Sequence, residues 1–384
     1  MGSPAKAGRK LETWEAVTVA FIGAVFFSVM CSSILPMGRT HDFLALYTSG
    51  VIVKTDPTRL YDPDLGSQVE HALAPGIPMF SPLVRPAFSA LFYVPLSWMP
   101  LAPAFNVWIG MGIAAALSIW YWAFRRFGPE ALVYCAFFVP LGVGIAHGQD
   151  TAFVTALAIL AYVAAERGRK VLCGLLLALL LAKFHLFLLV PLVLVKRREW
   201  RILAGYVSGA LVAISVSVAL ASPQSYLKLL TDPRLEALSP SPEMMVNVHA
   251  IAVNFGLDFM LVKILLIVGV LVTVLSIPKD APLTQWFWAA ICGGLLIPAH
   301  TYGYDASLLL MPILGILTDA TASLPRRWIA GIGVIPFPYF MTLLPKPFAA
   351  GPAILVVLLL FAIAWPEWFR RSVAPSSVPQ TSVT

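Results

Sequence analysis

Thirteen apolar runs, separated by short polar segments, are the feature that most restricts the fold of this 384-residue chain. A membrane crossing needs roughly 20 mostly apolar residues. In lipid, the backbone polar groups of a segment must be satisfied within it, so the runs are predicted to be helices; barrel strands would alternate over about ten residues. The runs lie at about 14–35, 86–99, 104–124, 130–147, 150–166, 170–182, 184–195, 200–221, 257–277, 283–299, 304–320, 328–344 and 350–366.

The composition excludes several classes of protein. Hydrophobic residues make up 59% of the chain and charged residues 12%, against about 45–50% and about 25% in soluble domains. A soluble enzyme and a disordered chain are therefore excluded. The net charge of +7 does not indicate nucleic-acid binding, because the basic residues form short clusters between apolar runs and lack interleaved aromatic residues. Four cysteines lie in apolar runs without CxxC spacing and are predicted to be packing residues: Cys31, Cys135, Cys173 and Cys292.

The basic clusters predict the orientation of the chain, because lysine and arginine collect in cytoplasmic loops. All clusters fall on one side if the short, proline-rich run 86–99 is a re-entrant or half-spanning segment. The predicted fold is then an all-α polytopic membrane protein of about 12 transmembrane helices with both termini in the cytoplasm. Residues 1–13 form its N-terminus, residues 14–366 a single integral membrane domain, and residues 367–384 a disordered cytoplasmic tail. The clusters are Lys6/Arg9/Lys10, Arg125/Arg126, Arg167/Arg169/Lys170, Lys196/Arg197/Arg198/Arg201, Arg326/Arg327 and Arg370/Arg371.

The remaining polar segments all emerge on the outer side in this arrangement, which indicates a site there. In the first outer loop, the apolar spacing from Phe43 to Lys54 predicts a short amphipathic helix at the membrane interface. Asp42 would be its N-cap or first residue. The polar segments are the loop 36–85, the turn 147–150, the turn 182–185, the loop 222–256 and the turn 300–305.

Three charged residues are the main candidates for chemistry at this site. Asp42 is either a plain helix cap or a carboxylate that takes a proton from a substrate hydroxyl. Arg85 is either a snorkelling interfacial residue or a planar donor to a phosphate or head group. Lys183 interrupts a long apolar stretch, where a lysine is a functional-site hypothesis by default. Its alternative is a snorkelling lysine at the tip of a helical hairpin.

The outer turns supply further polar candidates, for which ordinary turn and cap roles stay open. No P-loop, HExxH, CxxC pair, EF-hand or GxSxG pattern is present, so no cofactor and no metal site is predicted. The turn candidates are His147, Gln149, Asp150, His185, His300, Tyr304 and Asp305.

Six short motifs, taken in order, resemble glycosyltransferase family 87, the polyprenyl-phosphate-mannose-dependent mannosyltransferases of the GT-C superfamily. The resemblance covers about residues 14–320. Two departures leave the sugar open: Val84-Arg85-Pro86 stands where the family commonly shows Tyr-Pro-Pro, and Gly148-Gln149-Asp150-Thr151 where it shows Gly-Gln-x-Asn. The motifs are Asp42-Phe43-Leu44-Ala45-Leu46-Tyr47, Leu60-Tyr61-Asp62, the proline- and leucine-rich segment from Pro82, Gly148-Gln149, the stretch from Gly174 to Lys183, and the turn from His300 to Asp305.

The resemblance implies a GT-C-like bundle in the bacterial inner (plasma) membrane, with its active site facing the periplasm or outside. It implies inverting transfer of a sugar, mannose above all, from a polyprenyl-phosphate donor to a hydroxyl of a lipid or glycan acceptor, in cell-envelope glycan synthesis by a monomer. Asp42 would be the general base. The donor phosphate and lipid would contact Lys183, Arg85, His300 and His185. The sugar or acceptor would contact His41, Gln149, Asp150, Tyr304 and Asp305.

Two functions of other classes stay open. A secondary transporter or flippase for a lipid-linked or anionic substrate would line a path with polar residues. A non-catalytic scaffold would tolerate replacement of Asp42, Lys183 and His300. The gathering of polar residues on one side, the absence of a repeat and the long outer loop favour the transferase.

Overall fold

The computed structural model of the protein describes residues 12–366 apart from 33, 41, 77–80 and 239–240. Residues 1–11 of the predicted N-terminus 1–13 lie outside these residues, as does the whole of the predicted tail 367–384. The α-helices are α1 (Thr13–Ser32), α2 (Leu35–Thr40), α3 (Asp42–Thr55), α4 (Pro63–Leu73), α5 (Leu101–Phe127), α6 (Glu130–Phe137), α7 (Val139–Ala146), α8 (Thr151–Glu166), α9 (Lys170–Leu179), α10 (Leu189–Arg197), α11 (Trp200–Leu220), α12 (Pro223–Leu230), α13 (Pro233–Leu238), α14 (Val248–Asn254), α15 (Met260–Ser276), α16 (Leu283–Leu296), α17 (Leu310–Thr318), α18 (Leu324–Val334), α19 (Phe337–Phe340) and α20 (Gly351–Ala364).

Short 3₁₀ helices link many of these elements, and no β-strand occurs in the described part of the chain. The all-α prediction is therefore confirmed. The 3₁₀ helices are Pro57–Arg59, Ala87–Tyr93, Leu96–Trp98, Leu180–Phe187, Pro242–Met244, Asp305–Leu309, Met341–Leu343 and Phe348–Ala350.

In the described part of the chain, three helical segments are long and apolar enough to cross a membrane: Leu101–Phe127, Lys170–Phe187 and Trp200–Leu220. These segments and the shorter apolar helices indicate a membrane protein, whereas the count of about 12 crossings stays a prediction. The shorter apolar helices in the described residues are Thr13–Phe26, Thr151–Glu166, Met260–Ser276, Leu283–Leu296, Asp305–Thr318 and Phe348–Ala364.

The outward faces of the bundle carry large apolar side chains. Leu211 and Val212 of α11, and Leu261 and Leu265 of α15, are each at least 60% exposed. Apolar surface of this extent is unfavourable in water and matches the hydrocarbon of a bilayer.

The larger apolar core joins α8, α9, α16, α17 and α20. Cys135, Cys173 and Cys292 are buried in it as free thiols, and Cys31 is half-buried against it. The prediction that the cysteines are packing residues is confirmed.

The helix predicted after the first span is present, but its surroundings differ from the prediction. It is α3, and Asp42 is its first residue. Nearly every residue from Phe43 to Val53 is buried, on all sides of the helix. The prediction of an amphipathic helix lying at the interface is therefore wrong. The helix α3 lies in a second apolar core, where α4, α5 and residues 87–98 cover the faces that the spacing assigned to water and head groups.

The run predicted as re-entrant or half-spanning forms two 3₁₀ helices, Ala87–Tyr93 and Leu96–Trp98, rather than one spanning helix. It packs closely on α3 at Gly50. A Cβ atom at Gly50 would lie 2.6 Å from the carbonyl carbon and oxygen of Tyr93, so only glycine permits this approach. The contact brings the Tyr93 side chain, described below, to a fixed position.

Glu70 of α4 is a buried carboxylate in the second core, 3% exposed. Burial raises its pKa to about 7, although the backbone N–H of Ser81 donates a hydrogen bond of 3.0 Å to its Oε2 and opposes the shift. The other oxygen, Oε1, has no hydrogen-bond partner among the described residues. Glu70 therefore keeps its proton to higher pH in the folded chain than in the unfolded chain.

The raised pKa of Glu70 predicts a loss of stability as the pH rises. Between the ordinary value of 4.5 and about 7 the folded state holds the extra proton, so the free energy of unfolding falls through this window. We expect Glu70→Gln to remove this loss and to stabilise the protein by roughly 3 kcal/mol at pH 8, with little effect at pH 4.5. Thermal unfolding in detergent at both pH values measures it. Asp64→Asn on the exposed face of α4 is the control, and a gain that is equal at the two pH values would contradict the prediction.

Candidate functional site

Four pieces of chain meet at one end of the bundle. They are the start of α3, the turn 147–150 between α7 and α8, the segment 180–187 between α9 and α10, and the turn 297–305 between α16 and α17. Each of these pieces was predicted to lie on the same side of the membrane, and their ionisable residues contact one another.

Asp42 and His147 form a pair at this end. The Nδ1 atom of His147 lies 3.2 Å from Oδ2 of Asp42, and both side chains are about 30% exposed. Asp42 is placed there because it begins α3, and His147 because it follows the last turn of α7. The pair is therefore accessible from outside the protein and held from two different helices.

Two stacked tyrosines border the pair. The rings of Tyr302 and Tyr304 lie 5.1 Å apart between centroids, and the ring of Tyr304 lies 6.0 Å from that of His147. On its other side, Tyr304 is 5.5 Å from Nζ of Lys183. Tyr304 thus separates the accessible pair from a group of charged residues that lies deeper in the bundle.

The deeper group consists of Arg85, Asp150, Lys183 and Asp305, which we call the ion network. Both oxygens of Asp150 accept hydrogen bonds from Arg85, one of them from Nη2 at 3.2 Å. Nζ of Lys183 lies 3.2 Å from Oδ1 of Asp150 and donates to Oδ1 of Asp305 at 2.8 Å. Lys183 therefore joins the turn before α8 to the turn before α17.

The ion network is neutral as a whole and excluded from solvent. Its side chains are at most 12% exposed, and two cations face two carboxylates. Buried charges are tolerated when they are paired and hydrogen-bonded in this way. The prediction that Arg85 and Lys183 meet a phosphate stays a prediction; the structure places both of them against carboxylates of the protein.

Aromatic side chains and backbone groups hold the network in place. The hydroxyl of Tyr93 donates to Oδ2 of Asp150 at 3.3 Å, and the indole N–H of Trp108 donates to the carbonyl of Gly148 at 2.8 Å. The hydroxyl of Tyr61 donates to the carbonyl of Arg85 at 2.6 Å. The turn carrying His147 is therefore braced from α5 and from the outer loop.

Lys183 reaches Asp305 because the chain bends at that residue. Its φ of −121° and ψ of 53° are not helical, which confirms the predicted break in the apolar stretch. The alternative of a snorkelling lysine at the tip of a hairpin is wrong, since Lys183 is 3% exposed. The helix α16 covers it: a Cβ atom at Gly294 would lie 1.9 Å from the carbonyl oxygen of Leu186, so the two segments touch through their backbones.

His300 lies in the turn 297–305, another of the pieces of chain that form the site. The helix α16 ends at Leu296, so the break predicted before His300 is confirmed, and the side chain of His300 is exposed. The amide of Asn247 donates to the carbonyls of Pro298 and Ala299 at 2.8 and 3.0 Å. The loop before α14 thus fixes the segment that carries His300.

The other predicted residues take different places. Gln149 accepts a hydrogen bond from Nη2 of Arg85 at 3.4 Å, at the edge of the network. His185 is half-buried, with its ring against Phe184. His41 lies outside the described residues. No group of three histidine, cysteine, aspartate or glutamate side chains suited to a metal ion occurs in the described part of the chain, and independence of metal stays a prediction.

Three residues of the site were not among the predicted contacts. His147 was noted only as part of its turn, while Tyr93 and Trp108 were not singled out. Tyr93 and Trp108 lie in apolar runs, where an aromatic residue that fills the core has the same local pattern as one that donates a hydrogen bond. His147 stands directly before the Gly148-Gln149 motif. This position could have indicated that His147 belongs to the site.

One comparison with known proteins gives a match. The model of glycosyltransferase family 87 matches residues 84–312, which is more than half of the chain. The matched region includes all four residues of the ion network and His147, whereas Asp42 precedes it. No curated protein and no solved structure matches the chain.

Proposed function

We propose, since the chain belongs to glycosyltransferase family 87, that it transfers a sugar, mannose above all, from a polyprenyl-phosphate donor to a hydroxyl of a lipid or glycan acceptor. Membership of this family implies a glycosyltransferase activity. The donor, the sugar, the acceptor and the roles of individual residues are the proposal.

The pair of Asp42 and His147 is the observation that carries this proposal. A general base must be accessible to the substrate and held in place, and Asp42 meets both requirements at the start of a buried helix. His147 contacts Asp42 from the turn 147–150, which the ion network holds in place. Among the carboxylates described at this end, Asp150 and Asp305 are buried against cations and do not serve as bases in this proposal.

The reaction is written as a single inverting displacement. The acceptor hydroxyl gives its proton to Asp42 as its oxygen forms a bond to the anomeric carbon on the face opposite the phosphate. The bond between the anomeric carbon and the phosphate oxygen breaks, and polyprenyl phosphate leaves with the electron pair. A phosphate needs little acid assistance to leave, because nearby donors stabilise its charge. One carboxylate then suffices, in contrast to the pair used by glycosidases.

In this proposal the donor phosphate binds at the exposed turn that carries His300. The imidazole of His300 can donate a hydrogen bond to the phosphate. Arg85 and Lys183 act in this proposal through the turns they join, because their charges are paired with Asp150 and Asp305 inside the ion network. The apolar outer faces suit a donor with a long polyprenyl tail, since such a tail is soluble only in the bilayer. The site faces the periplasm or outside, opposite the basic clusters.

His147 is expected to position Asp42, and its replacement separates positioning from proton transfer. His147→Ala removes the Nδ1 atom that lies 3.2 Å from the Asp42 carboxylate. A polar contact with a charged group is worth about 1.5–3 kcal/mol, so kcat should fall about 10- to 100-fold. His147→Asn keeps an N–H close to the position of Nδ1 and should recover most of the activity. Steady-state transfer by the purified variants measures both. Equal losses in the two variants would contradict the positioning role.

A deletion strain tests the proposed function in the cell. Mass spectrometry of its lipids and glycans should show an acceptor that lacks one hexose, restored by the wild-type chain and not by Asp42→Asn. An unchanged profile of glycans, or restoration by Asp42→Asn at equal expression, would contradict the proposal.

A further inference from the structure

A cavity of about 230 Å³ lies at the end of the bundle opposite Asp42. Tyr162, one of its wall residues, is in the last turns of α8, whose first residue is beside the ion network. From Thr151 to Tyr162 the helix α8 rises by 162 − 151 steps of about 1.5 Å each, so this wall of the cavity lies roughly 17 Å from the ion network. Its chemistry is therefore independent of the transfer reaction.

Two arginines and several aromatic rings form the wall of this cavity. Arg126 comes from the last turn of α5 and Arg326 from the first turn of α18. The rings of Trp122, Trp288 and Tyr162 line the remainder. Both arginines belong to the basic clusters, so the cavity lies on the side of the membrane where lysine and arginine gather.

Hydrogen bonds to other parts of the protein orient both arginine side chains. Nη2 of Arg126 donates to Oε1 of Glu166 at 2.8 Å, and the Arg126 side chain is 50% exposed. Arg326 is 8% exposed, and its Nε donates to the carbonyl of Ala362 at 3.0 Å. A guanidinium group has five N–H donors in a planar fork, and the half-exposed side chain of Arg126 contributes part of such a fork to the cavity wall.

The wall also contains a carboxylate, which lies to one side. Oδ2 of Asp319 is 4.0 Å from Nη1 of Arg326, while its Oδ1 accepts hydrogen bonds from the N–H and hydroxyl of Thr321 at 2.8 and 2.7 Å. Asp319 and Glu166 balance the charges of the two wall arginines. The neighbouring Arg125 and Arg327 give this end of the bundle its positive excess, with Glu130 as the opposing charge nearby.

We propose that this cavity binds the phosphate-bearing head group of an anionic phospholipid. The guanidinium fork matches a phosphate group, and basic pockets between helices on the cytoplasmic side are typical sites for such lipids. The cavity volume of about 230 Å³ leaves room for a head group that carries a phosphate.

Native mass spectrometry of the purified protein tests this site with phosphatidylglycerol as the probe and phosphatidylcholine as the zwitterionic comparison. We expect retention of phosphatidylglycerol over phosphatidylcholine. The double variant Arg126→Gln/Arg326→Gln should lower this retention at least tenfold. Thr284→Phe, which fills the cavity without altering its charges, should lower it as well and covers the case in which the double variant fails to fold.

Arg59→Gln is the matched control for Arg126→Gln, because the Arg59 side chain is also 50% exposed and also paired with a carboxylate, that of Asp62. It lies in the outer loop and should leave retention unchanged. An equal loss in Arg59→Gln and Arg126→Gln would overturn the site, as would equal binding of the two lipids. Glycerol 3-phosphate is the soluble competitor: displacement of the lipid at equal concentration would assign the cavity to a soluble phosphate and overturn the lipid assignment.

Discussion

Replacing Asp42 by asparagine is expected to lower the kcat of sugar transfer by about 10²–10⁴-fold, which is the contribution typical of a general base. Asparagine has nearly the same shape and keeps an oxygen beside His147, but it takes no proton at neutral pH. The Asp42 side chain is about 30% exposed and is bonded only to His147 among the described ion pairs, so the fold should tolerate the change. Transfer rates of the purified variant, with thermal unfolding alongside, measure both effects.

Asp64→Asn is the control for this experiment. Asp64 is an outer-loop carboxylate whose side chain is 75% exposed, and it pairs with Arg234 rather than with the candidate site. Its replacement should leave kcat within about twofold, as expected for a surface residue. An Asp42→Asn protein that transfers at the wild-type rate would rule out Asp42 as the base.

Replacing Lys183 by methionine is expected to destabilise the protein by about 3–5 kcal/mol, the cost of leaving buried charges without their partner. Lys183 lies between Asp150 and Asp305, at 3.2 and 2.8 Å, and is 3% exposed. Methionine fills a similar volume and removes only the charge. Unfolding in detergent, followed by circular dichroism, measures the loss.

A double variant separates the structural role of Lys183 from a role in binding phosphate. Lys183→Met/Asp305→Asn removes one cation together with one carboxylate, so part of the stability should return, with a coupling energy of about 0.5–3 kcal/mol. A lysine that served only the donor would behave differently: Lys183→Met would keep the stability and raise the KM for the donor, and that outcome would contradict the ion network described above.

Local chemistry explains what the sequence predicted correctly. Asp42 was placed at the start of a helix because aspartate is favoured there, and Lys183 was singled out because a lysine within an apolar stretch is costly. Both inferences need only neighbouring residues. The helix break before His300 follows in the same way from Pro298.

Packing between distant segments explains what the sequence did not predict. Lys183 and Asp305 are 122 residues apart, and nothing in the spacing of either shows that they pair. The helix α3 has apolar residues near helical spacing, but the same pattern suits a helix on a membrane surface and one buried under 87–98. Its burial depends on Gly50, where the backbone of Tyr93 approaches. Such contacts are properties of the folded chain.

We propose that this membrane protein cleaves the bond between a sugar and polyprenyl phosphate and passes the sugar to a hydroxyl. Purified protein, supplied with a radiolabelled polyprenyl-phosphate sugar and a membrane lipid extract, measures it directly. We predict that the label enters an acceptor with inverted anomeric configuration, that polyprenyl phosphate is released in equal amount, and that a nucleotide-linked sugar gives no product. Transfer from the nucleotide-linked sugar alone, or movement of the intact donor across vesicles without cleavage, would contradict the claim.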